Sequence, residues 1–190
     1  MRKITVLSLT LATIFCLASL IPLASAEEKA KTSPSKTQSP FNQPANQSVN
    51  GITQTAVKAG VLACTSRINQ VTNFLTAGSP GVGALMFLPP NNPDQQMISA
   101  SMEIPIKDAS SAYASASFAP GHENYCGGMY ETVVYWPNKC SEVAEKQFGT
   151  LTKAGALAKN IGVRNGGESM KVFLMPAGIG CVSIKKEIVR

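Results

Sequence analysis

The sequence predicts an α+β domain: a mostly antiparallel sheet of five to seven strands, with one long N-terminal helix and one short helix packed on one face, stapled by disulfides. Three observations predict it. A continuous helical stripe of apolar residues opens the apolar part of the chain. Alternating runs joined by short turn signals follow it. Four cysteines remain once an export signal is set aside, an even number that implies disulfides. Strands joined by short turns, with helices gathered on one side, make an α+β arrangement.

The chain has 190 residues and a formal net charge of +6. Met1–Ala26 reads as an export signal: Arg2 and Lys3 form a basic start, Ile4–Leu23 is apolar, and Ala24-Ser25-Ala26 is a small-x-small cleavage site. The apolar run approaches membrane-spanning length, but Pro22 and the Ala-Ser-Ala end fit a removed signal better. Cys16 follows Phe15, where a lipidation site wants a small residue, so it is read as part of the discarded signal core. Loss of Arg2 and Lys3 lowers the charge from +6 to +4. The remainder has no long basic stripe with interleaved aromatics, so nucleic acid is not an expected partner. No later segment is long and apolar enough to span a membrane as a helix. Residues 27–50, with Pro34, Pro40 and Pro44 among Ser, Thr, Gln and Asn, read as a disordered polar linker or tail. The single domain is expected over 51–190.

Gly51–Ala77 reads as the long helix, because Val57, Val61, Cys64, Ile68, Val71 and Leu75 fall on one stripe. A flanking row of Ala56, Ala59, Gly60 and Ala63 permits close approach of another element. Gly78 stops the helix and Pro80 prevents its resumption. Val82–Leu88 is a short strand, ended by Pro89-Pro90. In 96–106 Ile98, Ala100, Met102, Ile104 and Ile106 share one face and Ser99, Ser101 and Glu103 the other, a half-buried strand. Lys107-Asp108 turns the chain into 109–119, with Ala112, Ala114, Ala116 and Phe118 on one side and Ser111, Tyr113, Ser115 and Ser117 on the other. That alanine face suits the small row of the helix. Tyr125–Trp136 is the next strand, with Gly127-Gly128 as a bulge or kink. Asn138 caps a short helix reaching Phe148, with Glu142 and Lys146 as an i,i+4 pair. Residues 151–164 fit neither helix nor strand. Asn165-Gly166-Gly167 is a turn, and Lys171–Met175 with Cys181–Val189 reads as a terminal hairpin. The basic cluster Lys185, Lys186 and Arg190 reads as a solvated strand end. No repeat at a solenoid-like period is visible.

Among Cys64, Cys126, Cys140 and Cys181 three pairings are possible. Cys126 and Cys140 bracket a strand, and an extended segment of that length spans roughly 40 Å, beyond disulfide reach. If the last strand runs antiparallel to Tyr125–Trp136, Cys181 approaches Cys140. The favoured pairing is therefore 64–126 with 140–181.

No convergent catalytic set appears. His122, the lone histidine, stands beside Glu123 in Pro-Gly-His-Glu-Asn, a weak acid/base pair without a third orienting residue. There is no C-x-x-C, no metal-ligand spacing and no phosphate loop: Gly78–Gly83 follows a helix and lacks the Lys-Ser/Thr of that motif. Neither cofactor nor metal is expected. Glu103 and Glu131 on strands read as solvated acids. The better signal is recognition. Tyr113, Ser115 and Ser117 share a strand face, and Tyr135 and Trp136 point to opposite sides of theirs, so one of them is expected to meet a partner. The chain thus reads as an exported, periplasmic or secreted, non-enzymatic protein that binds another extracytoplasmic macromolecule; an inhibitor or immunity-type role fits. A small extracytoplasmic hydrolase using His122 and a nearby acid, and a structural envelope protein, are the alternatives.

Overall fold

The strongest alternating runs of the sequence form the middle of one sheet. The structure is a computed structural model and describes residues 48–77, 79–106, 111–122 and 125–190. The expected signal 1–26, the expected tail up to residue 47, the Gly78 helix stop, the Lys107-Asp108 turn and Glu123 lie outside the described residues.

Among the described residues eight strands form a single sheet: β1 (Gly83–Phe87), β2 (Ile98–Pro105), β3 (Ser111–Pro120), β4 (Cys126–Trp136), β5 (Thr152–Ala156), β6 (Gly162–Asn165), β7 (Met170–Ala177) and β8 (Gly180–Val189). Their order is β1-β2-β3-β4-β8-β7-β6-β5, and every neighbouring pair is antiparallel. Eight strands exceed the expected five to seven because 151–164, unassignable from its pattern, supplies β5 and β6. Both are short and glycine-bearing, and β5 lies wholly exposed, so neither carries an alternating apolar face.

The expected single long helix is two helices, α1 (Gly51–Lys58) and α2 (Thr65–Thr76). Gly60 takes φ +88°, a conformation that ends α1. The backbone N–H groups of Leu62 and Ala63 then donate to Asp94 Oδ1, both at 2.6 Å, from the 3₁₀ turn Pro93–Gln95. A distant carboxylate thus satisfies donors that a continuous helix would have used itself. The break changes what is buried. Val61, Cys64, Ile68 and Val71 enter the core, but Val57 is exposed, and of the small row only Ala56 is buried. It is α2 that approaches the alanine face of β3. Asn50 joins the two helices: it caps α1 by accepting from Thr53 N at 2.9 Å, and its amide donates to Thr72 Oγ1 and Asn73 Oδ1.

The third helix, α3 (Cys140–Lys146), starts after Lys139, whose side chain makes no capping bond. Asn138, the expected cap, donates instead to Glu142 Oε2. The expected bulge at Gly127-Gly128 is absent, since β3 and β4 stay in register through both glycines. A Cβ at Gly128 would stand 3.4 Å from Arg67 Cγ and from the Phe118 ring. The glycine makes room for the arginine, whose Nε–H donates to Cys126 O at 3.2 Å.

The disulfides are Cys64–Cys126 and Cys140–Cys181, the favoured pairing. They expose a repetition. Each half of the sheet runs helix then four strands, α2 with β1–β4 and α3 with β5–β8, and each disulfide ties the start of the helix to the start of the fourth strand. In each half a proline at or near the end of the third strand pairs with that cysteine, Pro120 with Cys126 and Pro176 with Cys181. Five residues beyond each cysteine stand Glu131 and Lys186, which pair with each other across β4 and β8. The pseudo-two-fold axis therefore passes between them.

All three helices lie on one face of the sheet. The larger core, with Ile68, Val71, Met102, Ala114, Ala116, Phe118 and Tyr130, lies beneath α1 and α2. A smaller one lies beneath α3, with Val143, Ala144, Val172, Leu174 and the Cys140–Cys181 bridge; Trp136 and Phe148 pack against it.

Candidate functional site

The strand registers determine what the other face displays. Residues paired across successive strands share a side. One row runs Tyr113–Val133–Ile184–Phe173–Val163, and a second runs Tyr135–Val182–Met175. Beside the first lies a polar row, Ser101–Ser115–Glu131–Lys186–Lys171–Asn165. Among the described residues no helix or strand covers this face.

Its first half is the serine and tyrosine surface expected from the alternation of 109–119. Tyr113 is 47% exposed, and its hydroxyl lies 2.9 Å from Ser101 Oγ. Ser111 donates to Glu103 Oε1 at 2.8 Å, and Ser117 to Ser99 Oγ at 3.3 Å. Between β1 and Tyr113 lies a trough of about 550 Å³, lined by Gly83, Ala84, Leu85, Ser101, Glu103 and Tyr113 among others. Ser115 stands in the adjoining polar row, next to the Glu131–Lys186 ion pair of 3.1 Å.

Tyr135 and Trp136 separate as alternation requires. Tyr135 stands exposed on the open face with Tyr113, Ser115 and Ser117. Trp136 faces the helices, where its indole N–H donates to Ser183 Oγ at 2.8 Å. Four of the five expected recognition residues thus share the open face, with Ser117, opposite Met129, roughly 20 Å along β4 from Tyr135, and Trp136 belongs to the smaller core.

The apolar half of the face was not legible in the sequence. In β8 the usual assignment is inverted. Ser183, Lys185 and Glu187 point toward the helices, while Val182, Ile184 and Ile188 point to the open side. Lys185 is therefore no part of a solvated strand end. Tyr130 donates to Glu187 Oε2 at 2.5 Å, and Lys185 Nζ donates to Tyr130 Oη at 2.8 Å and lies 3.2 Å from the same Glu187 oxygen. The ammonium also lies 5.7 Å from the centroid of the Phe74 ring. Burial, and then the hydrogen bond and charge of Glu187, push the Tyr130 phenol far above its ordinary range. The phenol stays protonated and ties β4 to β8, with the Phe74 ring of α2 5.7 Å from its own. The signal for this network was the polar set at period two in β8, paired with Tyr130 in β4.

His122 is exposed in the loop between β3 and β4, and its imidazole makes no hydrogen bond or ion pair with a described residue. Glu103 and Glu131 share the open face with β3 between them, two strand spacings or roughly 10 Å apart. Among the described residues no group of three or more His, Cys, Asp or Glu is placed to hold a metal ion, and no helix is long and apolar enough to cross a membrane. Two disulfides are compatible with an oxidising, extracytoplasmic location. The chain is thus a disulfide-stapled α+β protein whose sheet, among the described residues, has one helix-covered and one open face. No family model matches it, and neither does any curated protein or solved structure.

Proposed function

We propose that this chain is an exported, periplasmic or secreted, non-enzymatic interaction protein that holds another extracytoplasmic protein against the open face of its sheet. The inverted β8 carries the reading. The strand spends Val182, Ile184 and Ile188 on the uncovered side and places Lys185 and Glu187 inside, where both must be paired. Val182 and Ile184, beside Tyr113, Val133, Tyr135 and Phe173, make a contiguous apolar surface of the kind that marks interaction sites, and Ile188 with Met129 lies beyond the polar row. The serine, tyrosine and Glu131–Lys186 groups beside it supply a polar rim. An inhibitor or immunity-type role fits such a surface.

The test is affinity capture from an envelope extract of the producing cells, using wild type, Ile184→Lys on the open face and Leu62→Lys on an exposed loop between the helices, each checked for native fold. A species held by wild type and Leu62→Lys, and lost about tenfold or more with Ile184→Lys, is expected. Retention by Ile184→Lys at the wild-type level, or capture of nothing by any form, overturns the reading.

A further inference from the structure

The two edges of the sheet are built differently. At one edge, β5 carries the devices that keep a free edge from pairing: Lys153, a register break between Lys153 and Gly155, and φ +99° at Gly155. At the other edge, β1 reads Gly-Ala-Leu-Met-Phe. It carries no charge, no proline and no register break, and among the described residues it pairs on one side alone. Leu85 is 62% and Phe87 55% exposed. Such an edge is a template for a further strand.

The strand is complementary to itself. Run antiparallel to its own copy about Leu85, it sets Leu85 opposite Leu85, Gly83 opposite Phe87 and Ala84 opposite Met86. Each larger side chain off the axis then faces a small one on the same side of the sheet. A Cβ built at Gly83 meets nothing within 4 Å, so an aromatic ring from across the strand has room there. Concavities flank the edge on both faces: the trough of about 550 Å³ toward Tyr113, and one of about 680 Å³ on the helix side, lined by Ile52, Val82, Met86 and Leu88 among others. Side chains of an added strand alternate between two such hollows. No charge within the strand opposes its own copy.

We propose that β1 pairs antiparallel with β1 of a second copy of this chain, about a two-fold axis at Leu85. The trough beside Tyr113 is open at Gly83 in a single copy, and the partner's Phe87 closes it. The open faces of the two copies become one continuous surface. This assignment does not depend on the partner reading above, because it is tested on the purified chain alone.

Sedimentation velocity across about 1 to 500 µM is expected to show a monomer passing into a dimer. Leu85→Lys sets two ammonium groups face to face and moves that transition up at least about tenfold in concentration. Under mild oxidation Leu85→Cys cross-links between copies, since directly paired Cβ atoms stand about 5 Å apart. Leu157→Cys, comparably exposed beside the guarded edge at β5, does not. A wild type that is monomeric throughout, a dimer indifferent to Leu85→Lys, or cross-linking of Leu157→Cys as fast as Leu85→Cys overturns the assignment.

Discussion

The first half of the sheet, α2 through β4, and the second, α3 through β8, pass through the same elements in the same order and carry the same staple, yet they bury very different amounts. In the first, the alanine face of β3 lets α2 sit close, α1 adds a second helix, and Ile68, Val71 and Phe118 fill the space between. In the second, the seven-residue α3 covers Val172 and Leu174 and leaves β5 bare. The shared plan therefore does not divide stability evenly. The first half holds itself by packing, and the second depends on its disulfide and on the β4·β8 pairing.

Removing the staples is the most forceful way to break that contrast. The bridges close 62 and 41 residues, and chain entropy assigns each about 4 kcal/mol. The equilibrium losses of Cys64→Ser/Cys126→Ser and Cys140→Ser/Cys181→Ser are thus expected to be similar, while their distribution differs. Hydrogen exchange on the second variant should show β5, β6 and β7 opening while α2 and β2–β3 stay protected. Loss of protection in both halves together would show one cooperative unit. Next come the cores. Ile68→Ala is expected to cost about 3–4 kcal/mol in urea unfolding and Leu174→Ala about 2–3, because the thinner layer under α3 relaxes more easily. Equal costs would erase the contrast.

The smallest effect lies on the seam. Tyr130→Phe leaves the Lys185–Glu187 pair in place and removes the two hydrogen bonds of the phenol, to Glu187 and from Lys185, a loss of about 1–2 kcal/mol near neutral pH. The pH dependence has a definite sign. The folded phenol is held above its ordinary pKa, while in the unfolded chain it ionises near pH 10. Above about pH 10 the unfolded chain releases a proton that the folded one keeps, so the contribution is full below that pH and falls as pH rises. The gap in stability between wild type and Tyr130→Phe should then close by about 1.4 kcal/mol per pH unit. Parallel alkaline profiles would place the phenol outside the network.

What the sequence showed of these halves followed the same division. β2, β3, β4 and the hairpin of β7 and β8 stand near the segments that alternation marked, because one side of each is buried. The cysteine pairing followed from strand length and direction. The break between α1 and α2 was hidden, since Val61, Ile68 and Val71 continue the helical spacing across it, and its cause includes Asp94 from far along the chain. β5 and β6 were hidden because short edge strands bury too little to need a pattern. The two-fold repetition was hidden by unequal spacing between its cysteines. For the candidate site, Tyr113, Ser115, Ser117 and Tyr135 were readable from period two. The sign of β8 was not: alternation separates two sides of a strand without saying which one meets the helices, and Tyr130 and Lys185 turn the polar side inward.

The last in chain order of the eight described strands, β8, lies in the middle of the sheet, between β4 and β7. Until Val189 has emerged, the β4 edge has no neighbour, the strands before β8 form two separate blocks, and Cys181 has no position from which to reach Cys140. The sheet is therefore joined in one late, long-range step, after the other seven strands have been made. A chain made only as far as β7 can hold the first meander with its bridge and the separate β5–β7 block, but not the join between them.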